Sequence, residues 1–142
     1  MFSRACEYAI KAMIYIEFES QHNQNNIKLN DIAEAIDSPM AFTAKILQKL
    51  RKHQLLESSV GAKGGFQHAT GKEISLRDII VAIDGEGIFK NCVLGLKQCS
   101  AEYPCPMHDE YARIRGEMEK TMHSSKLKDV AQKLLTKKIA LK

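Results

Sequence analysis

No apolar run in the 142 residues approaches the roughly 20 that a helix needs to cross a bilayer, so the chain does not read as a membrane-spanning protein. Near the N-terminus, Glu7 and Lys11 break the apolar stretch, leaving no h-region of a secretory signal. The expected location is cytoplasmic, where cysteines stay reduced unless they bind something. Internal repeats and low-complexity tracts are absent. So are a nucleophile–base pair, a phosphate-cradling loop joined to a strand and helix, and a dinucleotide fingerprint, and the chain does not read as an enzyme. Charge is modest: the net +4 permits nucleic-acid binding without requiring it. Cysteine and proline are scarce, at four and three residues, yet three of the cysteines and two of the prolines fall between Cys92 and His108.

That segment reads C-x6-C-x5-C-x2-H, from Cys92 through Cys99 and Cys105 to His108. It holds few aliphatic side chains, and Gly95, Pro104 and Pro106 break regular structure. Burial alone gives such a loop little reason to be ordered. Bonds from thiolates to a metal or an iron–sulfur cluster would offset the ordering entropy. The same residues suit a Cys3His zinc site, although no usual zinc-ribbon C-x2-C pair is present. Free thiols or a redox disulfide are the third possibility. Cys6 stands apart on the first helix and reads as a buried structural thiol. The remaining histidines, His22, His53, His68 and His123, show no ligand spacing and read as surface residues.

Elsewhere, apolar periodicity organises the chain. A first helix is expected from Arg4 to about Glu19, ended by a polar loop over Ser20 to Asn26. Leu29, Ile32, Ala33 and Ile36 mark a short second helix. Ser38 is placed to cap a third, with Pro39 at its first position and Phe42, Ile46, Leu47 and Leu50 facing inward to about Lys52. Two short helices across a tight break form a helix-turn-helix. Its outer side would present Ser38, Ala41, Thr43, Ala44, Lys45, Gln48 and Lys49: small residues for close approach to base edges, basic ones for phosphates. Leu55–Val60 and Phe66–Ala69 read as strands joined by the glycine-rich Gly61–Gly65, which makes the unit a winged helix with Lys63 at the wing tip. Ser75 opens a capping box before Leu76, Ile79, Ile80 and Ile83, and Asp84-Gly85 stops that helix. Beyond the cysteine loop a long helix is expected over Met107 to about His123, followed by a last one capped by Ser125. The long helix carries a stripe of Tyr111, Ile114, Met118 and Met122, which a second copy of the chain would bury. A homodimer also suits double-stranded operator DNA, because two recognition helices meet two half-sites. The expected class is mainly α with one small β-hairpin. Residues 1–85 form the winged helix-turn-helix, and residues 86–142 the cysteine loop and dimerisation helices.

Several segments together resemble the Rrf2 family of bacterial winged-helix transcription regulators: E-Y-A-I-K-A-M-I-Y-I (Glu7 to Ile16), I-A-E-A-I in the second helix, K-I-L-Q-K-L-R-K (Lys45 to Lys52), the wing G-A-K-G-G-F, I-S-L-R-D-I-I-V-A-I-D-G (Ile74 to Gly85) and the three-cysteine loop. The resemblance implies a homodimer held by the long helix. It also implies that Cys92, Cys99 and Cys105 ligate an iron–sulfur cluster, [2Fe–2S] in preference to [4Fe–4S]. The fourth ligand differs among members: His108 matches one pattern, and Glu7 of a partner's first helix matches the other. Two positions depart from the pattern. The first cysteine spacing is six where five is found, and Val60 stands where the wing carries an Arg. The function implied is a dimeric DNA-binding regulator sensing redox state, nitric oxide or iron–sulfur supply. The alternatives are a zinc-bound or thiol/partner-responsive regulator, or an iron–sulfur electron carrier.

Overall fold

Helix α1 (Arg4–His22) is the element on which most of the others pack. Cys6, Ala9, Ala12, Met13 and Ile16 along it are fully buried. The computed structural model describes residues 1–22 and 26–142. The expected loop over 20–26 therefore falls partly outside the described residues. The helix itself runs past Glu19, because the polar residues beyond it bond back onto it. The Ser20 hydroxyl donates to the Glu17 carbonyl at 2.8 Å and the Gln21 amide to the Glu17 carboxylate at 2.9 Å.

Helices α2 (Leu29–Ala35) and α3 (Met40–Lys52) follow, joined by a tight turn in which Asp37 takes φ 51°. Ile46, Leu47 and Leu50 of α3 face the core. Tyr8 of α1 meets Phe42 edge-on at 5.7 Å between ring centroids. Ser38 does not cap α3. The helix begins one residue later than expected, with Pro39 at the cap, and the Ser38 hydroxyl instead accepts from Thr43 Oγ1 at 2.9 Å.

Strands β1 (Leu56–Ser59) and β2 (Gly65–His68) pair antiparallel, Leu56 opposite His68 and Ser59 opposite Gly65. The wing has a third, one-residue rung: Ile27 and Phe66 exchange backbone hydrogen bonds at 2.9 and 2.8 Å. Gly65 permits this approach, since a Cβ there would lie 2.5 Å from the Ile27 carbonyl oxygen. The Asn26 amide ties the same edge to the Ser59 hydroxyl and the Lys63 carbonyl.

Helix α4 (Leu76–Asp84) begins with the expected capping box: Ser75 accepts from the Asp78 N–H, and the Asp78 carboxylate accepts from the Ser75 N–H. Gly85, at φ 78°, ends it. A single unforeseen turn, α5 (Gly87–Lys90), buries Phe89 before the cysteine loop. Helix α6 (His108–Ser124) then packs on α4 and α5, and α7 (Leu127–Thr136) returns to lie along α1. Ser125 does not cap α7. Its hydroxyl bonds the Thr121 carbonyl at the end of α6, and its carbonyl accepts from the Leu76 N–H at 3.0 Å, fastening the α6–α7 turn to the start of α4. Leu127 and Ala131 of α7 belong to the same core as the α1 residues. No helix among the described residues is long and apolar enough to cross a membrane.

Candidate metal centre

Between α5 and α6 the chain turns at each of its three cysteines. The Gly95 N–H bonds the Cys92 carbonyl at 3.0 Å, the Cys99 N–H the Leu96 carbonyl at 3.2 Å, and the His108 N–H the Cys105 carbonyl at 2.9 Å. Gly95 takes φ 70°, in the left-handed region that favours glycine. These turns bring three thiols that are far apart in sequence to within 4.8 Å of one another. Cys92 Sγ is 3.6 Å from Cys105 Sγ, and Cys99 Sγ is 3.2 Å from His108 Nδ1. His108 reaches the group because it is the first residue of α6, one turn beyond Cys105. Glu7 lies exposed on α1, outside the group its own chain forms.

The thiols are not equivalent. Backbone hydrogen bonds, Leu96 first and then Leu94, draw the Cys92 thiol down to about 7 against the opposing effect of desolvation. Desolvation pushes the Cys105 thiol up, and its sulfur neighbours add to the shift. Cys6 behaves differently. Burial, with Asp84 and Glu7 nearby, raises it to about 12, so it stays protonated as a packing residue. The donor set fits a thiophilic metal or an iron–sulfur cluster: soft sulfurs with one imidazole, gathered by a loop with little apolar burial of its own. One more observation agrees. Arg115, which lines the small cavity beside the sulfurs, keeps its Nε–H buried and without an acceptor among the described residues.

The helix-turn-helix presents only part of the expected contact set. Ala41, Lys45, Gln48 and Lys49 are exposed on α3, Ala44 and Ser38 are half-buried, and Lys63 is exposed at the wing tip. Thr43 corrects the expectation. It is fully buried, donating to Ser38 Oγ and the Pro39 carbonyl, because the helix phase turns its short hydroxyl toward the break rather than outward. Lys49 is exposed as a residue, but its ammonium donates to the Ile83 carbonyl at the end of α4 at 2.6 Å. Arg51, further round α3, holds the Ser58 hydroxyl of the wing at 2.7 Å. On α6, Met118 and Met122 pack partly against the chain's own core, Tyr111 is half-buried, and Ile114 remains 47% exposed. The sequence reading missed Arg115. Its partners lie 24 and 25 residues away, and no local pattern marks it.

Comparison with known proteins follows the same lines. The HTH-type transcriptional regulator IscR of Vibrio campbellii is 30% identical over 102 residues, covering 71% of this chain and 59% of that protein. CymR, the global cysteine regulator of B. subtilis, has the same fold, with a TM-score of 0.77 at 23% identity over 93% of this chain and 96% of that one. T. potens IscR matches at a TM-score of 0.76 and 21% identity, over 99% and 92%. Residues 2–133 match the Rrf2 family, described as iron-dependent transcriptional regulators, and the chain therefore belongs to the Rrf2 family of transcriptional regulators.

Proposed function

We propose that the protein is a homodimeric, DNA-binding Rrf2 regulator whose affinity for its operator depends on an iron–sulfur cluster held by Cys92, Cys99 and Cys105. The observation that supports this reading is the gathering of Cys92, Cys99 and Cys105 within 4.8 Å of one another, with His108 Nδ1 3.2 Å from Cys99 Sγ. Three thiolates and one imidazole would hold a [2Fe–2S] cluster, proposed in preference to [4Fe–4S], and His108 would be the fourth ligand over Glu7 of a partner because its ring already lies against Cys99. When bound, the cluster supplies a redox- and nitric-oxide-sensitive centre. The residues do the rest. The three turns hold the thiols together, His108 connects them to the start of α6, and α6 bears on α4. A change in loop geometry thereby reaches the helix that supports α3. Ala41, Ala44 and Gln48 face base edges, with Lys45 and Lys63 on phosphates. A second copy covers Ile114 and the exposed apolar rim of Val93, Leu94 and Leu96, spacing two recognition helices for two half-sites.

A second reading rests on the 3.6 Å separation of Cys92 Sγ and Cys105 Sγ. Cys92, with its lowered pKa, and Cys105 could act as a thiol pair that a peroxide oxidises to a disulfide, with or without zinc on the remaining ligands. Operator selection from a randomised duplex library, followed by fluorescence anisotropy, tests the main reading. Cluster-loaded protein and protein stripped by nitric oxide should differ at least tenfold in affinity. No selected sequence in either form would end the regulator reading. Equal affinities, with a difference appearing only after peroxide, would favour the thiol pair.

A further inference from the structure

Arg115 is committed on one side and free on the other. Nη1 donates to the carbonyls of Lys90 (2.5 Å) and Asn91, the two residues that lead into Cys92. The guanidinium carbon lies 5.4 Å from the centre of the Tyr111 ring, one helical turn back on α6. Nε is buried and has no acceptor among the described residues. Arg115 also lines the cavity of about 10 Å³ that Cys92, Cys99, Cys105 and His108 share. A buried N–H without an acceptor is costly and uncommon in a native interior. Here it borders the cavity shared by all three thiols, where negative charge must gather if they act as ligands.

We propose that Arg115 is a positioning residue of the cysteine site, holding the entry of the loop on α6 and donating its Nε–H to sulfur of the bound group. This rests on the reading of the cysteines as metal or cluster ligands. Hydrogen bonds to cluster or thiolate sulfur stabilise the more negative state, raise the potential and slow loss of the metal. They also tie the bound group to α6. One turn further along that helix, Glu119 accepts from Arg77 of α4 at 2.8 Å, and the last turn of α4 accepts the Lys49 ammonium of α3. The contacts thus run without a break from the loop to the recognition helix.

The test uses full-length protein purified without oxygen, with Arg115→Met and Arg115→Lys beside the natural sequence. Met keeps the bulk without donors or charge. Lys keeps the charge, but a single ammonium cannot serve two carbonyls and a sulfur together. Visible absorbance is followed in excess EDTA, the reduction potential is measured, and thermal unfolding of the metal-free forms serves as the control. The expected result is loss of the bound group about tenfold faster in Arg115→Met, a lower potential, and a smaller change of the same sign in Arg115→Lys, with the metal-free variants still folded and melting cooperatively. If Arg115→Met does not fold, Arg115→Lys decides alone. A natural protein that loads normally, with variants that bleach at its rate and keep its potential, overturns the role of Arg115 and leaves the cysteine site standing. A natural protein that takes up neither iron nor zinc overturns both.

Discussion

Lys45, Lys49 and Lys63 all lie on the surface expected to meet DNA. The Lys49 ammonium, however, is engaged by the Ile83 carbonyl at 2.6 Å, whereas Lys45 and Lys63 are exposed with no such partner among the described residues. Each phosphate neutralised by a lysine contributes about −0.9 to the slope of log affinity against log salt. Two lysines in each protomer of a dimer give a slope near −3.6, and three would give near −5.4. Raising salt from about 50 to about 200 mM should then weaken binding roughly 150-fold in the first case. Lys45→Gln or Lys63→Gln removes two contacts per dimer and should flatten the slope by about 1.8, which is roughly 12-fold over that range. Lys49→Gln should leave the slope unchanged and instead cost about 1 kcal/mol of stability, the net worth of a screened charged hydrogen bond. Fluorescence anisotropy on the selected operator at five salt concentrations, with urea melts of each variant, measures both quantities. A Lys49→Gln slope as flat as that of Lys63→Gln would refute the assignment, because Lys49 would then be leaving Ile83 for the phosphate.

Other outcomes follow from the same contacts. Leu47→Ala empties a fully buried position behind the recognition helix and should cost about 2–5 kcal/mol in denaturant melts, with operator binding lost in proportion to unfolding. His108→Ala should abolish the visible absorbance of the loaded protein, and Glu7→Ala should leave it unchanged; the reverse result would move the fourth ligand to the partner's first helix. His68 joins the wing to α1, its Nε2 lying 3.1 Å from the Glu17 carboxylate without hydrogen-bond geometry. Burial there outweighs the carboxylate and lowers its pKa below the ordinary 6.5. The folded state therefore favours the neutral ring. The stability this contributes is full above pH 6.5 and is lost as pH falls from 6.5 through the lowered folded value, so thermal midpoints should drop with acid, and His68→Gln should flatten that part of the profile.

The parts of this fold legible in sequence are those with a local signal. Ser75 and Asp78 are three residues apart, so their capping box is written in the chain, as are the inward stripe of Ile46, Leu47 and Leu50 and the glycines of the wing tip. The cysteine loop was visible because its thiols are so few and so concentrated. Features made by residues distant in the chain were not. The Ile27–Phe66 rung is one residue long and has no periodicity to betray it. Thr43 sits at the edge of an amphipathic face, where a short hydroxyl can turn either way, and its bond to Ser38 decided the matter while taking Ser38 from the cap. Lys49 reads as a phosphate contact until α4 is in place to accept it, and Arg115 reads as an ordinary charged helix residue until the loop folds back over it.

Central to the proposed function is an iron–sulfur cluster held by the three-cysteine loop. Purification under strict exclusion of oxygen, with a visible spectrum and analysis of iron, acid-labile sulfide and zinc on one sample, tests it most directly. The expected result is coloured protein with iron and sulfide in equal amounts, close to two of each per chain for the two-iron form. Colourless protein with one zinc per chain, or metal-free protein that resists reconstitution with iron and sulfide, would contradict it.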